Sequence, residues 1–589
     1  MRRMWTQIAV FLHYAVALAV SVRVLLRPRL EPTVRLSWIL VIELVPLVGI
    51  IAYILFGEIR LRGAEVETMA SVRSRLSGLW QPSPEAVRQP PKFAAPVIAA
   101  NRATTGFGAV AGNRATLLAE DDSAIADLVA AIDGAREHLH MLFYIWLDDA
   151  AGRSVAEAAI RAAGRGVKVR AVIDAFGSRA FGRSEAWAAM RAAGCECVEA
   201  LPMGLPLLGA LFQRMDLRNH RKIVVIDHLL GFTGSRNCSD RAFAIKPRFA
   251  PWIDVFLRIE GPVVRQMQAV FLQDWMSYTG EDLGDMLRMV PPVMAPGVIG
   301  QVVATGPDDR QGSLSDCMAT MIYAARERLV ITTPYYVPDA SLDSAIRTAA
   351  RRGVDVTMIV PAINDSLVVQ ATSEGFYYGL VSAGVKLMLF RGGLLHAKII
   401  TADGEMAMIG SANMDRRSFQ LNYEMNMLLI GPEVTGVLDE RQESYIARAT
   451  PITLAEIRAW SLRRRLRNNL WRWPRRSCEE DAMTGLAEGK IVDGAPALPE
   501  PELRAALAGL PGWVLAEDGR SIRREWRFKS FKAAAQLANL AAWQAEAANH
   551  HPDIAFGWGF ARVSFSTHSA GGVTMNDLVM AARLDAVAG

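Results

Sequence analysis

The chain has 589 residues, of which 51% are hydrophobic, and its formal net charge is +5 at pH 7. This length exceeds what one hydrophobic core usually serves, so we expect several structural units. The small net charge excludes a dedicated nucleic-acid binder, which would carry a strongly basic surface. The five cysteines have no framework spacing, which favours a reduced compartment over a disulfide-stabilised fold.

Two apolar runs open the chain, at about residues 8–26 and 36–56. Each is close to the ~20 residues that a helix needs to cross a bilayer. The sequence therefore predicts two transmembrane helices within residues 1–60. It does not predict a secretory signal, because the second run follows without a small-residue cleavage site. A buried helical hairpin in a soluble domain, or a short re-entrant hairpin, would give a similar pattern. Basic residues flank both runs, so charge does not fix their orientation.

Residues 61–111 are rich in Pro, Ser and Ala, and we interpret them as a linker. Strands and helices then alternate, and the pattern occurs twice, because RAAGRGVKVRAVID is followed much later by the similar stretch RTAARRGVDVTMIV. A repeat unit this long indicates a duplicated α/β lobe and not a solenoid. We place the two lobes at residues 112–290 and 291–447.

A polar motif occurs once in each lobe, on an apolar strand and in the loop after it. Its spacing is His-x-Lys-x4-Asp, followed after six residues by Gly-Ser-x-Asn. The candidate catalytic residues are His220, Lys222, Asp227, His396, Lys398 and Asp403, and the candidate binding residues are Ser235, Asn237, Ser411 and Asn413. One copy could arise by chance, whereas two copies can place two imidazoles and two amines around one phosphate.

These side chains suit phosphoryl transfer through a covalent histidine intermediate. A neutral imidazole can attack phosphorus, while a protonated imidazole gives its proton to the leaving alkoxide. We expect His220 to be the nucleophile and His396 the general acid. The two lysines carry the positive charge that Mg²⁺ supplies in other phosphoryl-transfer enzymes, so no metal or other cofactor is predicted.

The duplicated motif resembles that of the phospholipase D superfamily. The chain is similar to bacterial cardiolipin synthases over about residues 1–450. The similarity lies in the two N-terminal apolar runs and in the segments TPYYVPD, WIDVFLRIEGP and NYEMN. The resemblance implies two facing lobes that join two phosphatidylglycerol molecules into cardiolipin and release glycerol. It also implies that Asp254 and Glu424 orient the two histidines. The enzyme would lie in the bacterial inner membrane, with its catalytic domains in the cytoplasm. A hydrolase of the same fold, with water as the acceptor, is the alternative.

Residues 448–500 contain the strongly basic stretch WSLRRRLRNNLWRWPRRS, which has seven arginines and no acidic residue. Its leucines recur at helical spacing among the arginines. The pattern predicts a basic amphipathic helix that lies on an anionic membrane. A solvated basic linker is the other interpretation of the same residues.

A last domain is predicted at residues 501–589. Its candidate catalytic residues are His550, His551 and His568, and its candidate orienting residues are Glu546 and Asp577. Two adjacent histidines do not easily bind one ion from regular structure, so acid–base chemistry is favoured over zinc. The stretch resembles pterin-4a-carbinolamine dehydratase, which implies a small α+β domain that removes water from 4a-hydroxytetrahydropterin without a cofactor. A non-catalytic regulatory or dimerisation module, which would make the protein a homo-oligomer, is the alternative.

Overall fold

The computed structural model describes residues 2–27, 32–45, 47–57, 63–79, 84–87, 89–202, 217–243, 245–307, 312–461, 463–465, 467, 468, 491, 494–507, 510, 512–516, 518–528 and 530–588. The chain forms two compact units, Met1–Cys478 and Glu479–Gly589. Each unit has its own hydrophobic core. Most of the predicted basic amphipathic segment, including its leucines, lies outside the described residues.

The first unit begins with a helical hairpin. Its helices are α1 (Arg2–Leu25), α2 (Pro32–Leu44) and α3 (Val48–Ala52), followed by a π-helical turn at Tyr53–Gly57. The second apolar run is therefore divided, and not the single long helix that its composition predicts. Among the described residues, no helix combines the length and the apolar character that are needed to cross a membrane. The helices pack through a small apolar cluster: Ala17, Val24, Ile42, Ile50 and Tyr53.

Two helices occupy the stretch that we predicted as a linker, α4 (Gly63–Leu79) and α5 (Ala95–Thr105). Leu76 of α4 is buried in one core cluster of the first unit, and Val97 of α5 is buried in another. The linker prediction for residues 61–111 was wrong at these helices. Tertiary packing of a few apolar side chains stabilises them, and local composition does not reveal such packing.

A single sheet runs through both lobes of the first unit. The strands of this unit are, in chain order, β1 (Val110–Leu117), β2 (His138–Phe143), β3 (Lys168–Asp174), β4 (Glu196–Ala200), β5 (Arg218–Asn219), β6 (Lys222–Ile226), β7 (Leu230–Gly234), β8 (Trp252–Ile253), β9 (Phe256–Glu260), β10 (Val298–Thr305), β11 (Arg328–Thr332), β12 (Tyr336–Val337), β13 (Asp355–Pro361), β14 (Lys386–Phe390), β15 (Leu394–Leu395), β16 (Ile399–Ala402), β17 (Met406–Gly410), β18 (Met414–Asp415), β19 (Asn422–Ile430) and β20 (Ala449–Pro451). Among the described residues, 16 of them form one sheet in the order β20-β14-β13-β11-β16-β17-β19-β10-β1-β9-β7-β6-β2-β3-β4, with β5 paired on β19. The antiparallel pair β1 and β10 joins the two halves.

Helices cover both faces of this sheet. They are α6 (Ser123–Asp133), α7 (Ala150–Gly164), α8 (Glu185–Ala192), α9 (Val264–Thr279), α10 (Ser313–Ala324), α11 (Ala340–Arg351), α12 (Leu367–Ser382), α13 (Arg416–Gln420), α14 (Pro432–Ile446) and α15 (Leu454–Arg458). Successive strand residues enter different cores, as the alternation of side chains along a strand requires. Leu142 packs in the cluster that contains α9, whereas Met141 and Phe143 pack in the cluster that contains α6 and α7.

Two very short strand pairs cross between the lobes and position the motif histidines. In the first, β5 runs parallel to the start of β19, with Asn219 opposite Tyr423. In the second, β15 runs parallel to β8, with Leu395 opposite Ile253. Each crossing pair is followed directly by a histidine on one strand and a carboxylate on the other. The parallel register therefore brings each motif histidine beside an acidic residue of the opposite lobe.

The second unit is a small α+β domain. In its described residues, four antiparallel strands occur in the order β21-β22-β24-β23. The strands are β21 (Val514–Leu515), β22 (Ile522–Arg527), β23 (Asp553–Gly557) and β24 (Phe560–Phe565), and the helices are α16 (Glu500–Leu507), α17 (Phe531–Ala548) and α18 (Met575–Ala588). Apolar residues of α17, α18 and the sheet form one core. The side chain of Ser530 accepts a hydrogen bond from the backbone N–H of Ala533, which caps α17.

Candidate functional site

Each motif histidine is buried and contacts a carboxylate from the other lobe. His220 Nδ1 lies 3.0 and 3.1 Å from the two carboxylate oxygens of Glu424. His396 Nδ1 lies 2.7 Å from Oδ1 of Asp254. A carboxylate at Nδ1 holds the proton on that nitrogen, so the lone pair of a neutral ring is placed on Nε2. Both imidazoles are thus set up to react through Nε2.

The serines of the two motifs hold these carboxylates in place. Ser235 donates to Oδ1 of Asp254 at 2.6 Å, and Ser411 donates to the carboxylate of Glu424. Burial alone would raise the pKa of each carboxyl, but the neighbouring histidine and lysine charges outweigh it and lower both pKa values to about 2. Both groups are therefore ionised and able to stabilise an imidazolium.

The motif lysines are buried beside their own histidines. Lys222 Nζ donates to the backbone carbonyl of His220 at 2.7 Å, and Lys398 Nζ makes the same contact with His396 at 2.7 Å. Lys398 Nζ also lies 2.8 Å from Nε2 of His396. Burial and the charge of Lys398 lower the pKa of His396, and Lys222 of the other motif adds to this effect. Charges from both motifs therefore act on one site.

The two motif aspartates bind backbone amides. Asp227 accepts from the N–H groups of residues 136–138 at 2.8–2.9 Å. Asp403 accepts from those of residues 326–328 at 2.8–3.2 Å. Both aspartates have a positive φ, 52° and 56°, at the turn after a motif strand. These contacts give Asp227 and Asp403, which the sequence marked as candidate catalytic residues, a structural role at the two turns.

The motif asparagines lie in the loops that follow the second strand of each motif hairpin. Oδ1 of Asn237 accepts from the backbone N–H of Ile145 at 3.3 Å. The backbone N–H of Asn413 donates to Ser418 Oγ at 3.1 Å. Both asparagines are buried, at 2% and 0% exposure. An amide N–H₂ group in such a position can donate to a phosphate oxygen, as the sequence predicts.

Aromatic rings that the sequence did not single out surround the histidines. The ring of Tyr144 is 4.7 Å from that of His220, and the ring of Trp252 is 4.9 Å from that of His396. Tyr335 is 6.5 Å from His396. Such rings exclude water and strengthen the electrostatic interactions within the site. In the sequence, Trp252 and Tyr335 lie in two of the segments that carried the family resemblance, whereas Tyr144 lies in none of them.

Arg221 lies between His220 and Lys222 in the chain and makes contacts in both lobes. It is fully buried and forms an ion pair with Asp274 of α9. It also donates to the backbone carbonyls of Glu424 and Thr305, at 3.3 and 3.2 Å. Arg221 thereby helps to fix the carboxylate that orients His220. In the sequence, Arg221 is one of five consecutive polar residues, 218–222, and nothing distinguishes it from its neighbours there.

Three further histidines form a buried cluster in the first lobe. The ring of His138 lies 4.6 Å from that of His140 and 4.0 Å from that of His228. Burial lowers the pKa of His138 to about 3 and that of His228 to about 4, so both rings are neutral at pH 7. Within the described residues, no group of three or more His, Cys, Asp or Glu side chains is arranged to hold a metal ion.

In its described residues, the second unit holds two histidine–carboxylate pairs. His550 Nε2 lies 2.8 Å from Oδ1 of the buried Asp577, whereas His551 Nε2 lies 3.1 Å from Oε2 of Glu546 at the surface. Asp577 also accepts from two threonines, which fix its position. The backbone of His568 begins a 3₁₀ turn, and its side chain lies outside the described part of the structure. An imidazole with a carboxylate partner suits proton transfer.

Models of known families match three parts of the chain. The model described as cardiolipin synthase, PLD-like domain, matches residues 128–275 and 318–446. The model described as phospholipase D-nuclease N-terminal matches residues 15–58. The model described as pterin 4 alpha carbinolamine dehydratase matches residues 496–587. The first match contains both copies of the histidine–lysine motif, and the last contains the histidine–carboxylate pairs of the second unit.

The chain is also similar to individual known proteins. Cardiolipin synthase A of Proteus mirabilis is 39% identical over 460 residues, which cover 76% of this chain and 93% of that protein. Cardiolipin synthase A of Edwardsiella ictaluri is 38% identical over 451 residues, which cover 75% of this chain and 92% of that protein. A solved transcriptional coactivator/pterin dehydratase from Brucella melitensis is 36% identical and covers 16% of this chain and 99% of its own, with a TM-score of 0.15. The chain therefore belongs to the cardiolipin synthase family and carries a C-terminal pterin dehydratase domain.

Proposed function

We propose that this protein is a phosphatidyltransferase that makes cardiolipin and glycerol from two phosphatidylglycerol molecules. The observation that carries the proposal is the pair of crossed histidine–carboxylate contacts, each with a buried lysine beside it. Two buried ammonium groups suit a phosphodiester anion, and two imidazoles oriented through Nδ1 suit its cleavage and reformation. The relatives named cardiolipin synthase supply the substrate class.

The reaction proceeds in two displacements at phosphorus. Nε2 of His220 attacks the phosphorus of the first lipid, and the bond to the headgroup glycerol oxygen breaks. Protonated His396 gives its proton to that oxygen, so glycerol leaves and a phosphatidyl-histidine remains. His396 then takes the proton from a glycerol hydroxyl of the second lipid, whose oxygen attacks phosphorus and displaces His220. Lys222 and Lys398 neutralise the phosphoryl oxygens in both displacements.

The surroundings of Nε2 support His220 as the nucleophile. In His396 this atom lies 2.8 Å from the ammonium of Lys398, which competes with phosphorus for the lone pair. The same contact gives His396 a nearby source of a proton, as a general acid requires. The lowered pKa of His396 leaves it neutral before the substrate arrives, and the negative phosphodiester then favours its protonation. Isolation of the phosphatidyl group on His396 would reverse the two roles.

The N-terminal helices hold the enzyme at the bacterial cell membrane, with the catalytic unit on the cytoplasmic side. Many large apolar side chains in the described part of this region are more than half exposed, among them Leu18, Leu26, Leu36, Leu44 and Leu47. An exposed apolar surface of this kind is typical of a membrane or protein contact. Substrates with two acyl chains are found in the same membrane. Anionic lipid is thus both the substrate and the surface that the protein binds.

Product analysis tests the transfer reaction. Purified full-length protein is incubated with vesicles that contain phosphatidylglycerol labelled in the headgroup glycerol and in the acyl chains. We expect cardiolipin that carries both labels, with one labelled glycerol released for each cardiolipin formed. Phosphatidic acid as the main product would identify the protein as a hydrolase that uses water as the acceptor. That outcome would contradict the synthase and leave the histidine chemistry intact.

We propose a second activity for the C-terminal domain, the dehydration of 4a-hydroxytetrahydropterin to the quinonoid dihydropterin. The observation that favours it is the pair of imidazoles with carboxylate partners, His550 with Asp577 and His551 with Glu546. The reaction needs an acid for the departing hydroxyl and a base for a ring N–H proton. An imidazole can both give and accept a proton, so the two histidines can supply both groups without a cofactor.

A fragment that comprises Glu479–Gly589 is expected to fold alone and to dehydrate the pterin, because it forms a compact unit with its own core. His551→Ala should lower its rate ~10²–10⁴-fold, since it removes a proton-transfer group. His551 is exposed, so the substitution should not unfold the fragment. The rate is measured by ultraviolet absorbance of the pterin.

The same substitution in the full chain should leave cardiolipin formation unchanged. A folded fragment without dehydratase activity would favour the regulatory or dimerisation module, and light scattering would then show whether the fragment forms a homo-oligomer. Loss of both activities on His551→Ala would contradict two independent domains.

A further inference from the structure

A cavity of about 520 Å³ lies on the surface of the first unit, and neither catalytic histidine lines it. The start of α12 forms one wall, and the chain after α15 forms the other. Its charged lining consists of three arginines and one carboxylate: Arg463, Arg464, Arg467 and Glu374. The lining therefore carries an excess of two positive charges, which favours an anionic ligand.

Glu374 is the anchor of this cavity. Its side chain is 4% exposed, and it accepts from Arg464 through two hydrogen bonds at 2.9 and 3.0 Å. Arg467 and Asn468 also donate to it, at 3.2 and 2.8 Å. The guanidinium of Arg464 lies 4.0 Å from the ring of Trp460. These contacts fix the arginines in a preformed arrangement, which lowers the entropy cost of binding a ligand.

The cavity is close in the chain to residues that contact the catalytic centre. Asp365, two residues before α12, accepts from the hydroxyl of Tyr335 at 2.8 Å and from Lys246 at 2.9 Å. The ring of Tyr335 lies 6.5 Å from that of His396. Ile363, in the loop that carries Asp365, and Leu367, at the start of α12, are each about two thirds exposed. The positively charged cavity therefore adjoins exposed apolar side chains, and Asp365 and Tyr335 connect this part of the chain to His396.

We propose that this cavity binds the phosphate of an anionic glycerophospholipid, with the acyl chains over Ile363 and Leu367. Arginine is suited to this task because its planar guanidinium group offers five N–H donors. Arg464 donates to Glu374 through two of its nitrogen atoms, Nε and Nη2. The bound lipid keeps α12 and the loop of Asp365 in place beside Tyr335. The proposal rests on the proposed function for its lipid substrate class, but its test is binding and not turnover.

The test uses the full-length His396→Ala protein, so that no lipid is consumed. Calorimetry measures binding of dihexanoylphosphatidylglycerol below its micelle concentration, which avoids general attraction to a charged surface. Arg463→Gln with Arg467→Gln should weaken binding at least ~10-fold, because charge-assisted hydrogen bonds are lost. Arg464 and Asn468 still satisfy Glu374 in this variant. Arg463→Gln alone, which removes no contact of Glu374, should weaken binding in the same direction.

Arg465→Gln is the matched control, because Arg465 is an exposed arginine of the same segment that does not line the cavity. It should change the affinity less than ~2-fold, since surface charges away from a ligand contribute little. Equal losses in the control and the double variant, or no loss in either, would overturn the site. Inorganic phosphate that binds as tightly as the short-chain lipid would overturn the lipid assignment. Failure of wild-type protein to make cardiolipin, with lipid binding intact, would count against the proposed function alone.

Discussion

Replacement of either His220 or His396 by alanine is expected to abolish cardiolipin formation. Loss of the nucleophile removes the covalent path, and loss of the general acid leaves an alkoxide that departs without a proton. Each change should lower the rate by ~10⁴-fold or more, at or beyond the upper end for one proton-transfer group. Thin-layer separation of labelled lipids measures the product. His551→Ala in the full chain serves as the histidine control.

The double variant should be no worse than either single variant, because both histidines act on one phosphate. Activity near wild type in one single variant would contradict the shared site. Rapid acid quenching, followed by peptide mapping, should locate the phosphatidyl group on His220 in the wild type. His396→Ala should accumulate no such adduct with phosphatidylglycerol, since glycerol is a poor leaving group without a general acid.

Neutral replacement of the crossed carboxylates should have the next largest effect. Glu424→Gln and Asp254→Asn keep the size of each side chain but remove the charge that stabilises an imidazolium and holds the Nδ1 proton. We expect each to lower the transfer rate ~10²–10⁴-fold while the fold is retained. The rate is measured as above, and circular dichroism checks the fold. Asp285→Asn, at an exposed ion pair with Arg288, is the surface control.

The crossing itself has a spectroscopic signature. Asp254→Asn, in the first lobe, should shift the ring signals of His396 in the second lobe, because the two side chains are 2.7 Å apart. Glu424→Gln should instead shift the signals of His220. Nuclear magnetic resonance of the protein with labelled histidine, assigned through the alanine variants, separates the two. Shifts confined to the histidine of the mutated lobe would contradict the crossed arrangement.

The sequence predicted the α/β class of the first unit, because repeated apolar strands and helices leave a periodic signal. The small α+β domain was implied by the resemblance to pterin-4a-carbinolamine dehydratase. The resemblance to cardiolipin synthases and to the pterin dehydratase family is confirmed by the comparisons. The sequence also marked His220 and His396, since their spacing is duplicated. It did not predict that one sheet would run through both lobes, because strand pairing depends on contacts between residues far apart in the chain.

Other features had too little local signal. The crossing strands β5, β8 and β15 have two residues each, which is too short for any periodic pattern. His138 and His140 lie two residues apart on β2, but only the pairing of β2 with β6 brings His228 beside them. Glu374 binds arginines that lie 90 and 93 residues further along the chain. Contacts of this kind follow from the completed fold and not from neighbouring sequence.

Because the strand pairs cross between the lobes, the two lobes depend on each other in evolution. Each lobe contains the carboxylate that contacts the histidine of the other lobe, so neither lobe alone holds a complete histidine–carboxylate pair. An ancestor with one lobe would have needed two copies of itself to react. After fusion, a substitution at Asp254 alters the surroundings of His396, and a substitution at Glu424 alters those of His220. The two halves can therefore drift apart at their surfaces but must evolve jointly where they meet.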